Sequence, residues 1–121
     1  MNDGPAREGV DGFIEHLREV GLTARREGAV VVFELEALDG ARAGHVVRSA
    51  VGIPELGPWP AVPPHWVHFP DDVSISPTNS DQNECLPGWR RHSRDLKGWS
   101  FDEHPGQAWI AHVRSVLSDA V

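Results

Sequence analysis

The sequence predicts an α+β fold in which two helices stand apart from an antiparallel meander sheet. Three observations point there. Apolar residues recur at helical spacing near both ends of the chain, and β-branched runs broken by Gly-containing turns follow the first of these segments. A proline-dense passage then separates those runs from a long stretch without period. At 121 residues the chain is expected to form one domain, 1–121, around one core. Its 40% apolar content, with five tryptophans and no tyrosine, suffices to fold without disulfides or a structural metal.

The elements follow in order. Val10, Phe13, Ile14, Leu17 and Val20 give residues 10–20 one amphipathic helix, stopped by Gly21. "LTARRE" leads through Gly28 into "AVVVFELEAL", a hairpin whose Val30 and Val32 share one face while Val31, Phe33 and Leu35 share the other. Asp39-Gly40 marks a turn, after which "GHVVRSAVGI" reads as a third strand. Between Pro54 and Pro64, "PELGPWPAVPP" holds five prolines in eleven residues, which excludes a helix or a central strand. It is expected to be a rigid, extended crossing with Trp59 laid against the core.

"HWVHF" is then a short fourth strand with Trp66 and His68 on one face. Residues 70–103 carry little period, and so long a loop in a small domain is more often functional than idle. The chain closes with "PGQAWIAHVRSVLSDAV", whose Trp109, Val113, Val116, Leu117 and Ala120 form the apolar stripe of a helix docked on the sheet.

A net charge of −7 argues against general nucleic-acid binding, because phosphates meet a repulsive average field. Arg90, Arg91, Arg94 and Lys97 are a local exception that reads as a solvated loop. No run approaches the ~20 apolar residues that span a bilayer. "MNDGPAREG" has neither the charge nor the apolar run of a secretory signal, and a single thiol suits a reducing compartment. A cytoplasmic protein is expected, with no membrane or nucleic-acid partner.

The element order and four local matches resemble the ubiquitin-conjugating enzyme (UBC-fold) superfamily. "WPAVPPHWVHF" is similar to that family's proline passage and fourth strand, and "CLPGW", starting at Cys85, to its cysteine-leucine pair. Trp99-Ser100 resembles its Trp-Ser-Pro, and "SPTN", ending at Asn79, stands where the family carries His-Pro-Asn. "GWRRHSRD" and "AWIAHVRSVL" resemble a bacterial subset found beside ubiquitin-like proteins, adenylating activating enzymes and isopeptidases, some of them linked to phage defence. The chain departs from the pattern in lacking the family's histidine, in a short gap from Asn79 to Cys85, in a long gap from Cys85 to Trp99, and in having no proline after Ser100.

The resemblance implies a UBC-like fold with an N-terminal helix, a four-stranded antiparallel meander, a long ordered loop and a C-terminal helix. It implies that Cys85 receives a ubiquitin-like protein from an activating enzyme as a thioester and passes it to a target. No cofactor is implied, since ATP is consumed by the activating enzyme. The partners implied are a ubiquitin-like protein, its activating enzyme and an isopeptidase from the same gene neighbourhood. The rival expectation is a UBC-like module that docks such partners without thioester chemistry.

The residues themselves leave Cys85 open between two roles. A thiolate suits acyl transfer because it attacks well and leaves well. Cys85 lies in a polar, turn-rich context, and Arg90, Arg91 and Arg94 favour the thiolate while Asp81 and Glu84 oppose it. The other role is a half-buried, inert cysteine. Asn79, in the place implied by the resemblance, either donates its amide to a tetrahedral oxyanion or holds a turn. His92 either acts as a base or belongs to a lock in which Arg94 and Asp95 tie the loop down. A hydrolase built on His92 and Ser93 lacks a Gly-x-Ser-x-Gly elbow.

Seven histidines raise the question of a metal. No zinc spacing or His-Glu-x-x-His helix is present, and His65 and His68, three apart, are expected on opposite faces of a strand. Trp59, Trp66 and Trp109 are expected in the core. Trp89 and Trp99 are the candidates for a partner-facing surface.

Overall fold

The computed structural model describes residues 8–75, 79–82, 85–93, 96, 99 and 103–120. Helix α1 (Gly9–Glu19) leads into strands β1 (Ala24–Glu27), β2 (Val30–Glu36) and β3 (Val46–Gly52). One turn of 3₁₀ helix (Ile53–Leu56) precedes β4 (Trp66–Pro70), followed by β5 (Asn79–Asp81), β6 (Trp89–Ser93) and helix α2 (Pro105–Leu117). The strands form one antiparallel sheet in the order β1-β2-β3-β4-β6-β5.

Alternation along the strands separates two faces. Val31, Phe33 and Leu35 on β2, Val47 and Val51 on β3, and Val67 and Phe69 on β4 are buried in one cluster with Phe13 and Leu17 of α1 and Trp109, Val113 and Val116 of α2. That is the core, and both helices cover the same side of the sheet. Val30, Val32 and Ala50 form a smaller apolar cluster on the other face, where Trp89 packs against them.

The helices meet closely. At Gly106 an added Cβ would lie 2.5 Å from the carbonyl oxygen of His16, so only glycine admits this approach. His104 caps α2 by accepting the Gly106 N–H on Nδ1 at 3.1 Å, and its Nε2–H donates to Glu19 of α1 at 2.8 Å.

The two helices, the hairpin and the first four strands lie where the pattern put them, but among the described residues the sheet has six strands rather than four. The extra pair falls in the stretch that carries no period. β5 has three residues, and the alternating positions of β6 hold Arg91 on one side and His92 on the other, so no apolar alternation advertises a strand. Arg90 and Arg91 consequently belong to β6 and not to a solvated loop.

The proline passage begins with a helical turn, against expectation. Pro54 sits at the start of that 3₁₀ turn, where its missing N–H has no partner to lose. Trp59 lies against the core as anticipated, 1% exposed. Among the described residues no helix is long and apolar enough to cross a membrane.

Candidate functional site

The register of the sheet sets one row of residues across its helix-free face. Val32 stands opposite Ala50, Ala50 opposite His68, His68 opposite Arg91, and Arg91 opposite Asp81. Two apolar residues thus pass into an imidazole, a guanidinium and a carboxylate within four strand spacings. Arg91 Nε donates to Asp81 Oδ1 at 2.7 Å and its Nη2 reaches Oδ2 at 3.5 Å, which ties β5 to β6. Its guanidinium lies 4.1 Å from the centroid of the Trp66 ring, on the neighbouring same-facing position of β4.

Cys85 lies in the connection between β5 and β6. That connection turns through Gly88, whose φ of 85° is a left-handed value open to glycine, and the Gly88 carbonyl accepts the N–H of Asp71 at 2.8 Å. The turn folds the half-buried thiol back over β4, where Sγ stands 3.5 Å from Nδ1 of His68.

Both groups line a cavity of about 510 Å³ that opens to solvent. This lies within the roughly 300–1,000 Å³ of typical small-ligand clefts. Val30 and Pro54 supply apolar wall, and Trp66 and Arg91 the wall beside the thiol. Glu55 braces the rim by accepting the N–H groups of His65 and Trp66 at 2.7 and 3.1 Å, which ties the 3₁₀ turn to the start of β4.

Electrostatics set the resting protonation. Burial, with help from the Arg91 guanidinium and against the pull of Asp81, lowers the His68 pKa to about 4. His68 is therefore a neutral imidazole at pH 7. Burial also raises the Cys85 thiol above its ordinary value. A backbone hydrogen bond from Arg91 and the Arg91 and Arg90 charges work the other way, and Asp81 reinforces the rise. With the neutral imidazole in its Nε2–H tautomer, the Cys85 S–H donates to Nδ1.

Asp81→Asn is expected to lower the thiol pKa, because it removes a negative charge that disfavours the thiolate. Titration of the thiolate's ultraviolet absorbance checks this. An unchanged or higher pKa would contradict the electrostatic account.

The structure thus joins Cys85 to residues that the pattern did not single out as a set: His68, Arg91, Asp81 and Glu55. The signal for His68 was present in the two-residue period of "HWVHF", which put it on one face with Trp66. Asn79 pairs with Ser93 through the backbone, while its side chain lies outside the described residues, as do Arg94, Asp95 and Ser100. The Arg94–Asp95 lock therefore has no description here, and the tie that is seen runs from Arg91 to Asp81.

His92 alternates to the opposite face from Arg91. It is 1% exposed, packs against Phe69 with ring centroids 5.6 Å apart, and does not line the cavity. The imidazole at the thiol is His68. His65 precedes β4, so strand alternation does not apply to it, and it lines the same cavity as His68 instead of the opposite face. No three His, Cys, Asp or Glu side chains converge on a metal position among the described residues.

Of the tryptophans, Trp59 and Trp109 are core, whereas Trp66 is half-buried at the cavity. Trp99 is no open surface: it packs on Trp59 at 5.5 Å and donates its indole N–H to the Pro60 carbonyl at 2.9 Å. Trp89 packs on the second apolar cluster with Arg48 over its ring. No family model, curated protein or solved structure matches the chain.

Proposed function

We propose that this chain is a UBC-like conjugating protein of a bacterial ubiquitin-like pathway, of the kind linked to phage defence, working in the cytoplasm. Cys85 receives the C-terminal acyl group of a ubiquitin-like protein from an activating enzyme and hands it to a nucleophile on a target. The observation that carries the proposal is a half-buried thiol on the wall of an open cavity, 3.5 Å from a buried, neutral imidazole. The element order supports it: one helix, β1 to β4 as consecutive neighbours with the proline passage ahead of β4, the cysteine after β4, and a closing helix, while β5 and β6 extend the sheet to six strands.

In the loading step the Cys85 sulfur bonds to the thioester carbonyl. The bond to the activating enzyme's sulfur breaks, and the Cys85 proton ends on that departing sulfur. In the second step the target nucleophile bonds to the same carbonyl, the bond from that carbonyl to the Cys85 sulfur breaks, and the proton that the nucleophile loses ends on the Cys85 sulfur. Asn79 belongs to the proposal as the donor to the tetrahedral oxyanion.

The alternative is a docking module without thioester chemistry, favoured by the upward shift of the thiol, since burial holds it in the less reactive form. Incubation with activating enzyme, ubiquitin-like protein and ATP separates the two. The conjugating reading expects a thiol-sensitive adduct, lost in Cys85→Ala and converted to a thiol-resistant oxyester in Cys85→Ser. A stoichiometric complex without adduct establishes the docking module instead.

A further inference from the structure

We infer that His68 is the proton acceptor for Cys85: as the sulfur attacks an acyl thioester, its proton passes to Nδ1 and from there to the departing thiolate. This deepens the acyl-carrier reading and rests on it. One S–H and one C–S bond break, one S–C bond forms, and the leaving thiol carries away the proton, so no further reagent is required.

The geometry fixes the pair from two directions. His68 is 4% exposed and sits mid-strand on β4, held between Ala50 of β3 and Arg91 of β6. Its imidazole has little room to turn away. Cys85 arrives from the β5–β6 connection, which the Arg91–Asp81 pair and the Asp71–Gly88 hydrogen bond brace. The Sγ···Nδ1 separation of 3.5 Å is a hydrogen-bond contact for sulfur.

Among the described residues, the charged and titratable groups around His68 come from several elements. Arg91 of β6 opposes an imidazolium and Asp81 of β5 favours one. Glu55 and His65 stand at the rim of the same cavity, Cys85 faces it from the hairpin, and His92 lies on the other face of β6. β3 sets Ala50 opposite His68 and carries Arg48 two residues along on the same face, over the Trp89 ring.

A base held neutral in this way is available at every pH above its own titration, and once protonated it releases the proton readily. A thiol pushed upward by burial holds little thiolate near neutrality, so attack without a base would be slow and would follow hydroxide. These two routes have different pH signatures.

The test acylates the purified chain with a small thioester, the thiophenyl ester of acetylglycine, and follows mass on Cys85 between about pH 6.5 and pH 8.5. Transfer to His68 predicts a nearly flat rate across that range. Unassisted thiolate attack predicts a rise of about tenfold per pH unit, roughly 100-fold in all, and overturns the inference. The wild-type profile needs no variant, so it survives any folding defect.

His68→Asn keeps a polar atom near the Nδ1 position but cannot take up a proton. It is expected to react about 10²–10⁴-fold more slowly near pH 6.5 and to acquire the steep profile. A folded His68→Asn protein with the wild-type profile also overturns the inference. The two claims fail separately. A flat profile without an adduct to the ubiquitin-like partner removes the conjugation reading alone, and a partner adduct with a steep profile removes the role of His68 alone.

Discussion

On lowering the pH from about 6.5 to about 4, the protein is expected to lose about 3 kcal/mol of stability for each of His68 and His92. Each has an ordinary value of 6.5 and a folded value of about 4. For His92, burial lowers the value most, followed by the Arg90 charge and His68 itself. The sign follows from proton counting. Above pH 6.5 neither the folded nor the unfolded chain protonates these imidazoles, and their stabilisation is fully present.

Between 6.5 and 4 the unfolded chain binds protons that the native state refuses, so stability falls by about 1.4 kcal/mol per pH unit per histidine. The two sites repel one another, so their protons enter in sequence and belong to the pair. Small domains hold only about 5–15 kcal/mol in total, so the loss is a large share. Urea unfolding at pH 7, 6 and 5 checks it. His92→Phe, which sets a ring against Phe69 without a titrating group, should roughly halve the slope with pH. Equal stabilities at pH 7 and pH 5 would contradict the burial argument.

Trp59→Ala is expected to cost about 3–5 kcal/mol from the lost ring and the void it leaves. The ring meets Phe13 edge-on at 4.8 Å and Trp99 at 5.5 Å. Its indole N–H donates to Nδ1 of the buried His16 at 3.0 Å, and stranding that acceptor adds about 1–3 kcal/mol. Trp59→Phe restores most of the packing and isolates the hydrogen-bond share.

The consequence extends to the cavity. The Trp59 ring packs on Trp99, whose indole N–H donates to the Pro60 carbonyl, so the ring helps to hold the middle of the proline passage. The upstream end of the passage carries Pro54 and Glu55, which form cavity wall and rim. Denaturant unfolding measures the loss, and the rate of Cys85 alkylation reports any loosening at the site. A cost under about 1 kcal/mol would show that the passage is held elsewhere.

How much of this could be read from residues alone varies along the chain. α1, α2 and the first four strands advertise themselves because one face of each is buried in the core, which imposes a period of 3.6 or 2. Val31, Phe33 and Leu35 alternate for that reason, and Trp109, Val113 and Val116 recur for the same one. β6 escaped because its sides are occupied by arginines and a histidine whose burial is met by an ion pair, an aromatic face and packing on Phe69.

The site was half visible. Cys85 drew notice as the single thiol, and His68 carried the right face, but nothing local says that a turn at Gly88 brings them together. That contact depends on β6 pairing with β4, and the pairing joins segments some twenty residues apart. His92 misled for the same reason: adjacency in sequence to the basic run says nothing of the alternation that turns it to the core.

The central claim is that the Cys85 sulfur carries an acyl group. Intact mass spectrometry after incubation with a ubiquitin-like protein, its activating enzyme and ATP measures this directly. The predicted result is a 1:1 adduct whose mass is the sum of the two chains less one water, mapped to Cys85 and reversed by added thiol. Unmodified chain under conditions that charge the activating enzyme, or an adduct that persists in Cys85→Ala, would contradict the account.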